Sequence, residues 1–302
     1  MEPVRVTFLG TTGSVPQKDK HFASLVIAFK GDTLLFDCPE GTQKQLMHSP
    51  HSLMGINHIF ISHMHADHFL GLFGWIATMT MNQRTTPLHI YSPRGGKEKI
   101  QKMLKEVVHP SFPIEYHEIK KGELLANENF SITAFPLEHD VPCFGFTFVE
   151  TGKVGEFNRA KAEKLGIPPG PLYAKLVAGE KVKVNGKTFT QKDVMDYSKK
   201  REGRKIVIVA DTRPTKETIT QAKGAVLLVH EATFLEKQKD KATEALHTTA
   251  HEAAEIAKKA KVLKLVLTHF SARNTNEHEI LAEAKNVFTN TVIPKELETL
   301  TL

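Results

Sequence analysis

A layered α/β fold is predicted by three features of the chain. Short β-type apolar runs recur along most of its length, helical periods alternate with them, and several of the runs stop at a polar residue able to bind a metal. Val6-Thr7-Phe8-Leu9 is the first run. Leu25-Val26-Ile27-Ala28 and Thr33-Leu34-Leu35-Phe36 follow, joined by Lys30-Gly31-Asp32, a turn signal that predicts a hairpin. Ile59-Phe60-Ile61 and Leu88-His89-Ile90-Tyr91 come next. After Tyr91 the apolar period lengthens: Ile100, Met103, Leu104, Val107 and Val108 share one helical face, and His109-Pro110 ends it. Ser131 to Leu137 reads as another strand, and Ile206 to Val209, Val226 to Val229 and Val262 to Leu267 as three buried ones interleaved with helices. One of those helices starts at Thr249, where Glu252 completes a capping box and Ala253, Ile256, Ala257 and Ala260 form the inner face.

The 302 residues are 40% apolar and 25% charged, which excludes wholesale disorder. No apolar stretch reaches about 18 residues, and Met1-Glu2-Pro3-Val4-Arg5 does not read as a signal peptide, so a cytoplasmic protein with no membrane association is expected. Cys38 and Cys143 are too few for a disulfide framework and have no paired-Cys zinc spacing. The net charge of +6 is unevenly distributed: residues 151–205 hold 14 Lys and Arg against six acids, and the remainder holds 26 against 28. That basic segment, interrupted by Gly166-Ile167-Pro168-Pro169-Gly170-Pro171, reads either as a solvated excursion or as an arm for a polyanion.

The apolar runs end in a shared way. Ile59 to Ile61 leads to Ser62 and His63, Ser131 to Leu137 to His139, Ile206 to Val209 to Asp211, Val226 to Val229 to His230, and Val262 to Leu267 to Thr268 and His269. Strand ends on one side of an α/β sheet are where such folds assemble sites, so five such endings predict one site. Its centre is His63-Met64-His65-Ala66-Asp67-His68. In an extended loop His63 and His65 point the same way and can share a metal, while Asp67 and His68 follow a turn and can reach another. Imidazole and carboxylate donors without thiolate suit Zn²⁺, and less well Mn²⁺ or Fe²⁺.

His63 to His68 resembles the signature of the metallo-β-lactamase superfamily, which alone leaves lactamases, glyoxalases and phosphodiesterases open. Further motifs resemble its ribonuclease Z branch in the short form: Phe36 to Gln43, Glu138 to Pro142, Asp211 to Pro214, His230 to Thr233, His247 to Thr249 and Thr268 to Ser271. The resemblance implies a four-layer αββα metallo-β-lactamase sandwich with an inserted basic exosite arm. Residues 1–150 and 206–302 would form the catalytic domain and 151–205 a flexible tRNA-binding arm. The implied activity is a zinc-dependent endoribonuclease that removes the 3′ trailer from precursor tRNA, leaving a tRNA 3′-hydroxyl and a 5′-phosphate on the trailer. The alternative is a superfamily phosphodiesterase or exonuclease acting on other nucleic acids or small phosphodiesters.

Residue by residue, the resemblance places one Zn²⁺ on His63, His65 and His139 and a second on Asp67, His68 and His269, with Asp211 between them. Asp67 would also act as general base. His247 would be the proton donor, helped by His230 and Glu231. The family likeness further implies a homodimer whose arm serves the partner's site. The chain departs from the family at Pro39, where Gly is frequent, at Tyr91 to Gly96, where a Gly-Pro loop is usual, and at Asn274, where an aromatic is frequent.

Overall fold

In the first strand, Arg5–Gly10, Val6 and Phe8 join one apolar cluster and Leu9 another, so the strand is buried on both faces. Successive side chains point to opposite sides, and both sides here are covered by further layers. The computed structural model in which this is seen describes residues 2–153, 155–273 and 276–302, apart from the side chain of Lys199. The chain divides into two compact units, Met1–Val149 with Lys205–Leu302, and Glu150–Arg204.

The larger unit is a sandwich of two seven-stranded sheets. The first runs in the order Thr299–Thr301, Arg5–Gly10, Ser24–Phe29, Asp32–Phe36, His58–Phe60, Leu88–Ser92 and Ile114–Glu118. Ser24–Phe29 and Asp32–Phe36 form the antiparallel hairpin expected from Lys30-Gly31-Asp32, and the last four strands of that order are parallel. The second sheet runs Thr291–Val292, Leu265–Thr268, Leu227–Glu231, Lys205–Val209, Cys143–Glu150, Phe130–Leu137 and Gly122–Ala126, its first four strands parallel. Phe36, Phe60 and Phe146 pack between the sheets, with ring centroids of Phe36 5.1 Å from Phe60 and 5.5 Å from Phe146. Helices Thr42–His48, Gly71–Met81 and Gly96–Val107 cover the outer face of the first sheet through Leu46, Trp75, Ile76 and Leu104. Lys216–Ala222, Ala250–Ala260 and Glu277–Val287 cover the second through Ala253, Ala257, Ile280 and Ala284. The result is four layers, αββα.

Three sequence expectations shift in detail. Val107 is exposed and Val108 extended, so the helix after Tyr91 buries Ile100 and Leu104 but stops one residue short of the predicted face. The strand expected from Val262 begins at Leu265: Lys261 ends the preceding helix in the left-handed region, and the amides of Val262 and Leu263 bond Ala257 and Ala225 across the turn. The third strand of the second sheet extends past His230 to Glu231. Gly71–Met81 gave no helical period because Leu72, Phe73, Trp75, Ile76 and Met79 bury more than one face.

The smaller unit has a core of its own, formed by Ala162, Ile167, Leu176, Val182, Phe189 and Val194. Asn158 caps the helix Arg159–Lys164, Pro171 starts Pro171–Val177, and strands Val182–Val184 and Lys187–Phe189 pair through Asn185-Gly186. Both turn residues have positive φ, 49° and 79°, as a tight hairpin turn demands. The lysines at 161, 164, 175, 181, 183 and 187 are exposed. Where the sequence reads as a flexible excursion, the segment therefore carries helices, a hairpin and a small core. Its base is tied by Glu150, which accepts hydrogen bonds from Arg201 and from Arg204 Nε, the latter at 2.7 Å. Burial raises the Glu150 carboxyl, but the two guanidinium groups prevail and hold it at about 2. No helix among the described residues is long and apolar enough to cross a membrane.

Candidate active site

The ends of the parallel strands converge. His63 follows His58–Phe60, Asp211 follows Lys205–Val209, Glu231 ends Leu227–Glu231 and His269 follows Leu265–Thr268. His139 follows Phe130–Leu137, and His65, Asp67 and His68 belong to the loop and first turn of the short helix Ala66–Phe69. Asp37, Leu246 and His269 adopt left-handed backbone (φ 58°, 56° and 58°), a conformation that non-glycine residues hold only where the surroundings enforce it.

Two groups of donors form around Asp211. His63 Nε2 lies 3.0 Å from His65 Nδ1 and 3.7 Å from Asp211 Oδ2, and His139 Nε2 lies 3.4 Å from His65 Nδ1 and 3.9 Å from Asp211 Oδ2. On the other side, Asp67 Oδ2 lies 3.7 Å from His68 Nε2 and 3.6 Å from His269 Nε2. Asp211 Oδ1 is 3.7 Å from His68 Nε2 and 3.2 Å from His269 Nε2. One carboxylate thus offers one oxygen to each group.

His68 Nε2, His269 Nε2 and Asp211 Oδ1 are buried without a hydrogen-bond partner among the described residues. Three such atoms facing one another carry a desolvation cost that a cation between them removes. The donor set, imidazole and carboxylate only, fits a divalent ion. Charge agrees: burial lowers His68, but Asp211 and Asp37 prevail and raise it to about 10. Burial, and then the imidazoles of His68, His65, His139 and His269, hold His63 well below its ordinary range. Burial raises Asp67, yet His269, His68 and the Ser14 amide hold it well below the usual carboxylate range.

Beside these groups His247 points Nε2 toward Asp211 Oδ2 at 3.9 Å and donates from Nδ1 to Glu231 Oε1 at 3.0 Å. Glu231 is fully buried and saturated: Oε1 also accepts from the amides of Thr212 and Thr248, and Oε2 from the amide and hydroxyl of Thr233. Burial raises it, but His247, His269 and these donors hold Glu231 at about 2. In turn burial lowers His247, and Glu231 and Asp211 raise it to about 9. The His247 backbone is fixed by Arg213, whose guanidinium donates to its carbonyl and pairs with both oxygens of Glu252 at 2.6 and 2.9 Å. Glu252 also completes the Thr249 capping box.

The structure brings together all the sequence-derived candidates except His230. Leu228 and His230 face the helix layer, while Leu227, Val229 and Glu231 face inward, because adjacent strand residues alternate. His230 is fully buried and donates from Nδ1 to the Glu231 carbonyl at 2.7 Å, an anchoring contact in place of the expected help to His247. Asn274 lies outside the described residues.

Other residues carry site geometry that was not predicted. Asp37 Oδ2 accepts from His68 Nδ1 at 2.8 Å and from Ser62 Oγ at 2.9 Å, so it fixes which nitrogen His68 presents. Asp140 Oδ1 is 3.1 Å from His139 Nε2, and the Ser14 amide donates to Asp67 Oδ2 at 2.6 Å. A Cβ on Gly13 would overlap the His269 ring, so only glycine fits there. Asp37 had a visible signal, since it ends the run Thr33 to Phe36 as His63 ends its own.

Comparison with known proteins adds identity to this geometry. Residues 4–152 match the family model described as Anti-Pycsar protein Apyc1. A Ribonuclease Z from Archaeoglobus fulgidus is 44% identical over 300 residues, which is 98% of this chain and 97% of that protein. The chain belongs to the ribonuclease Z family. A ribonuclease Z from Methanosarcina acetivorans is 41% identical over 297 residues, 97% of this chain and 96% of that protein. The short form of human tRNase Z has a TM-score of 0.71 at 28% identity, covering 98% of each chain. YhfI of Bacillus subtilis, a metallo-β-lactamase fold protein, has a TM-score of 0.74 at 20% identity over 100% of each chain, a likeness of fold. As a ribonuclease Z family member the chain is a metal-dependent endoribonuclease of the metallo-β-lactamase superfamily, a phosphodiester hydrolase of tRNA 3′ processing.

Proposed function

We propose that the chain uses two Zn²⁺ ions to cut precursor tRNA at the base of its 3′ trailer, leaving a tRNA 3′-hydroxyl and a 5′-phosphate. The division of Asp211 between two donor groups, with His247 Nε2 beside the same carboxylate, carries this reading. His63, His65 and His139 would hold one ion, Asp67, His68 and His269 the other, and Asp211 would contribute an oxygen to each. When bound, two divalent ions lower the pKa of the attacking water and neutralise charge that develops on the phosphoryl oxygens. Asp67, a carboxylate beside His68 and His269, would accept the proton of the attacking water. His247 Nε2 delivers a proton to the departing 3′ oxygen as the P–O3′ bond breaks. Glu231, holding Nδ1–H, fixes the ring orientation and supports the charged imidazole. His230 is an anchor in this reading.

The exposed lysines of Glu150–Arg204 suit a phosphate backbone, which they would grip by charge and shape with little base readout. The homodimer and the cytoplasmic setting implied by the family resemblance belong to the same reading. The test is a precursor tRNA carrying a 3′ trailer, incubated with and without chelator, with sequencing of the new ends. A single cut that is abolished by chelator and restored by Zn²⁺ is expected, and Asp67→Ala should lower its rate by about 10³-fold or more. A folded Asp67→Ala protein cutting at near the parent rate would sink the mechanism.

A further inference from the structure

At the edge of the first sheet, on residues distinct from those of the site above, His89, Glu115 and His117 meet. Their register explains how. Leu88–Ser92 and Ile114–Glu118 are parallel neighbours in which His89 pairs with Glu115 and Tyr91 with His117, and residues two apart share a face. His89 Nδ1 comes to lie 3.2 Å from His117 Nε2 and 3.2 Å from Glu115 Oε2. All three donor atoms lie within 4.8 Å of one another.

Hydrogen bonding alone serves this arrangement poorly. His89 Nδ1 carries at most one hydrogen, which cannot serve both Glu115 and His117. If instead His117 donates to His89, the Glu115 oxygen receives nothing from that nitrogen. Tetrahedral zinc, with bonds of about 2.0–2.1 Å, needs donor atoms about 3.3 Å apart, close to the 3.2 Å that separates His89 Nδ1 from each of the other two donors, while Glu115 and His117 lie within 4.8 Å of each other. We infer that His89, Glu115 and His117 form a binding site for a Zn²⁺-class divalent cation, separate from the catalytic centre and completed by water.

The surroundings are those of a ligand set held in place. His58 stacks on His89 with ring centroids 4.7 Å apart and planes 11° apart, and Tyr91 stacks on His117 at 4.5 Å and 18°. Both rings are therefore fixed in plane by neighbours that supply no donor to the group. A cation bound here ties Ile114–Glu118, the edge strand of the sheet, to the strand beside it. Edge strands expose unpaired backbone groups, and such a tie restrains them.

The experiment uses the full-length chain stripped of metal and dialysed against buffered Zn²⁺, with zinc counted per chain and melting followed. In a His63→Ala/His68→Ala/Asp211→Ala background, which leaves only two donors in each catalytic group, the chain should still hold one Zn²⁺, and adding His117→Ala should remove it. Glu115→Gln, a change at an exposed side chain, should weaken that ion about tenfold. In the parent background His117→Ala should hold one ion fewer while cutting precursor tRNA at the parent rate. Should that background fail to fold, this difference in the parent background decides. Equal zinc content and affinity with and without His117 and Glu115 would overturn the site, whatever the fate of the catalytic assignment.

Discussion

In the sandwich, Asp37, Asp211 and Glu231 are buried charges, each met by named donors or facing imidazoles at defined distances. In Glu150–Arg204 the described lysines stand in solvent, and the buried acid of that unit, Glu150, closes its base on Arg201 and Arg204. The contrast separates two uses of charge. A buried charge acts through geometry, because removing one partner strands another. An exposed charge acts through number, because each contact is screened and weak.

Substitution can break this contrast, and its largest expected effect falls in the sandwich. His247→Ala should lower kcat for precursor tRNA by about 10²–10⁴-fold while leaving KM little changed. Glu231→Gln should do less and should be accompanied by lost stability, since five donors converge on that carboxylate. Single-turnover rates and melting of both variants check this, and an unchanged rate in His247→Ala would remove it from the chemistry. Next in size, deleting residues 155–200 should weaken precursor tRNA binding by about a hundredfold and flatten its salt dependence. Hydrolysis of a small phosphodiester should persist, so equal loss of both activities would assign the segment to folding instead. Single lysine replacements in the same segment should each have a small effect.

The smallest effect concerns the base of the segment. Glu150 is depressed from 4.5 to about 2, so its stabilisation is fully present above about pH 4.5 and is lost as pH falls through about 2. Glu150→Gln should cost about 1–3 kcal/mol locally at pH 7 and abolish the acid dependence of that local stability. Amide hydrogen exchange across residues 150–204, measured between pH 2 and 7, compares the two proteins. An acid dependence that persists in the variant would point to another group.

How far the site could be read beforehand follows from which groups are local in sequence. His63 to His68 is a cluster within one loop, and the runs ending at His139, Asp211 and His269 were legible because a β-run that stops at a donor is visible without knowing its neighbours. The charge count marked 151–205 in the same local way, and the compact unit spans Glu150–Arg204. His230 was misread because alternation along the strand decides which of two adjacent residues faces inward, and the strand runs two residues past its apolar run, to Glu231. Asp37 and Thr233 act by holding other side chains, which only tertiary packing reveals. The helix Gly71–Met81 escaped for the opposite reason, since burial on more than one face erases its period.

The donors around Asp211 come from both sheets and span residues 63 to 269. No fragment of the chain holds either group complete, so the site appears only when long-range strand pairing is finished, late on a pathway of high contact order. A cation captured there binds the native state and not the unfolded chain, so metal concentration becomes a term in the folding equilibrium of the whole sandwich.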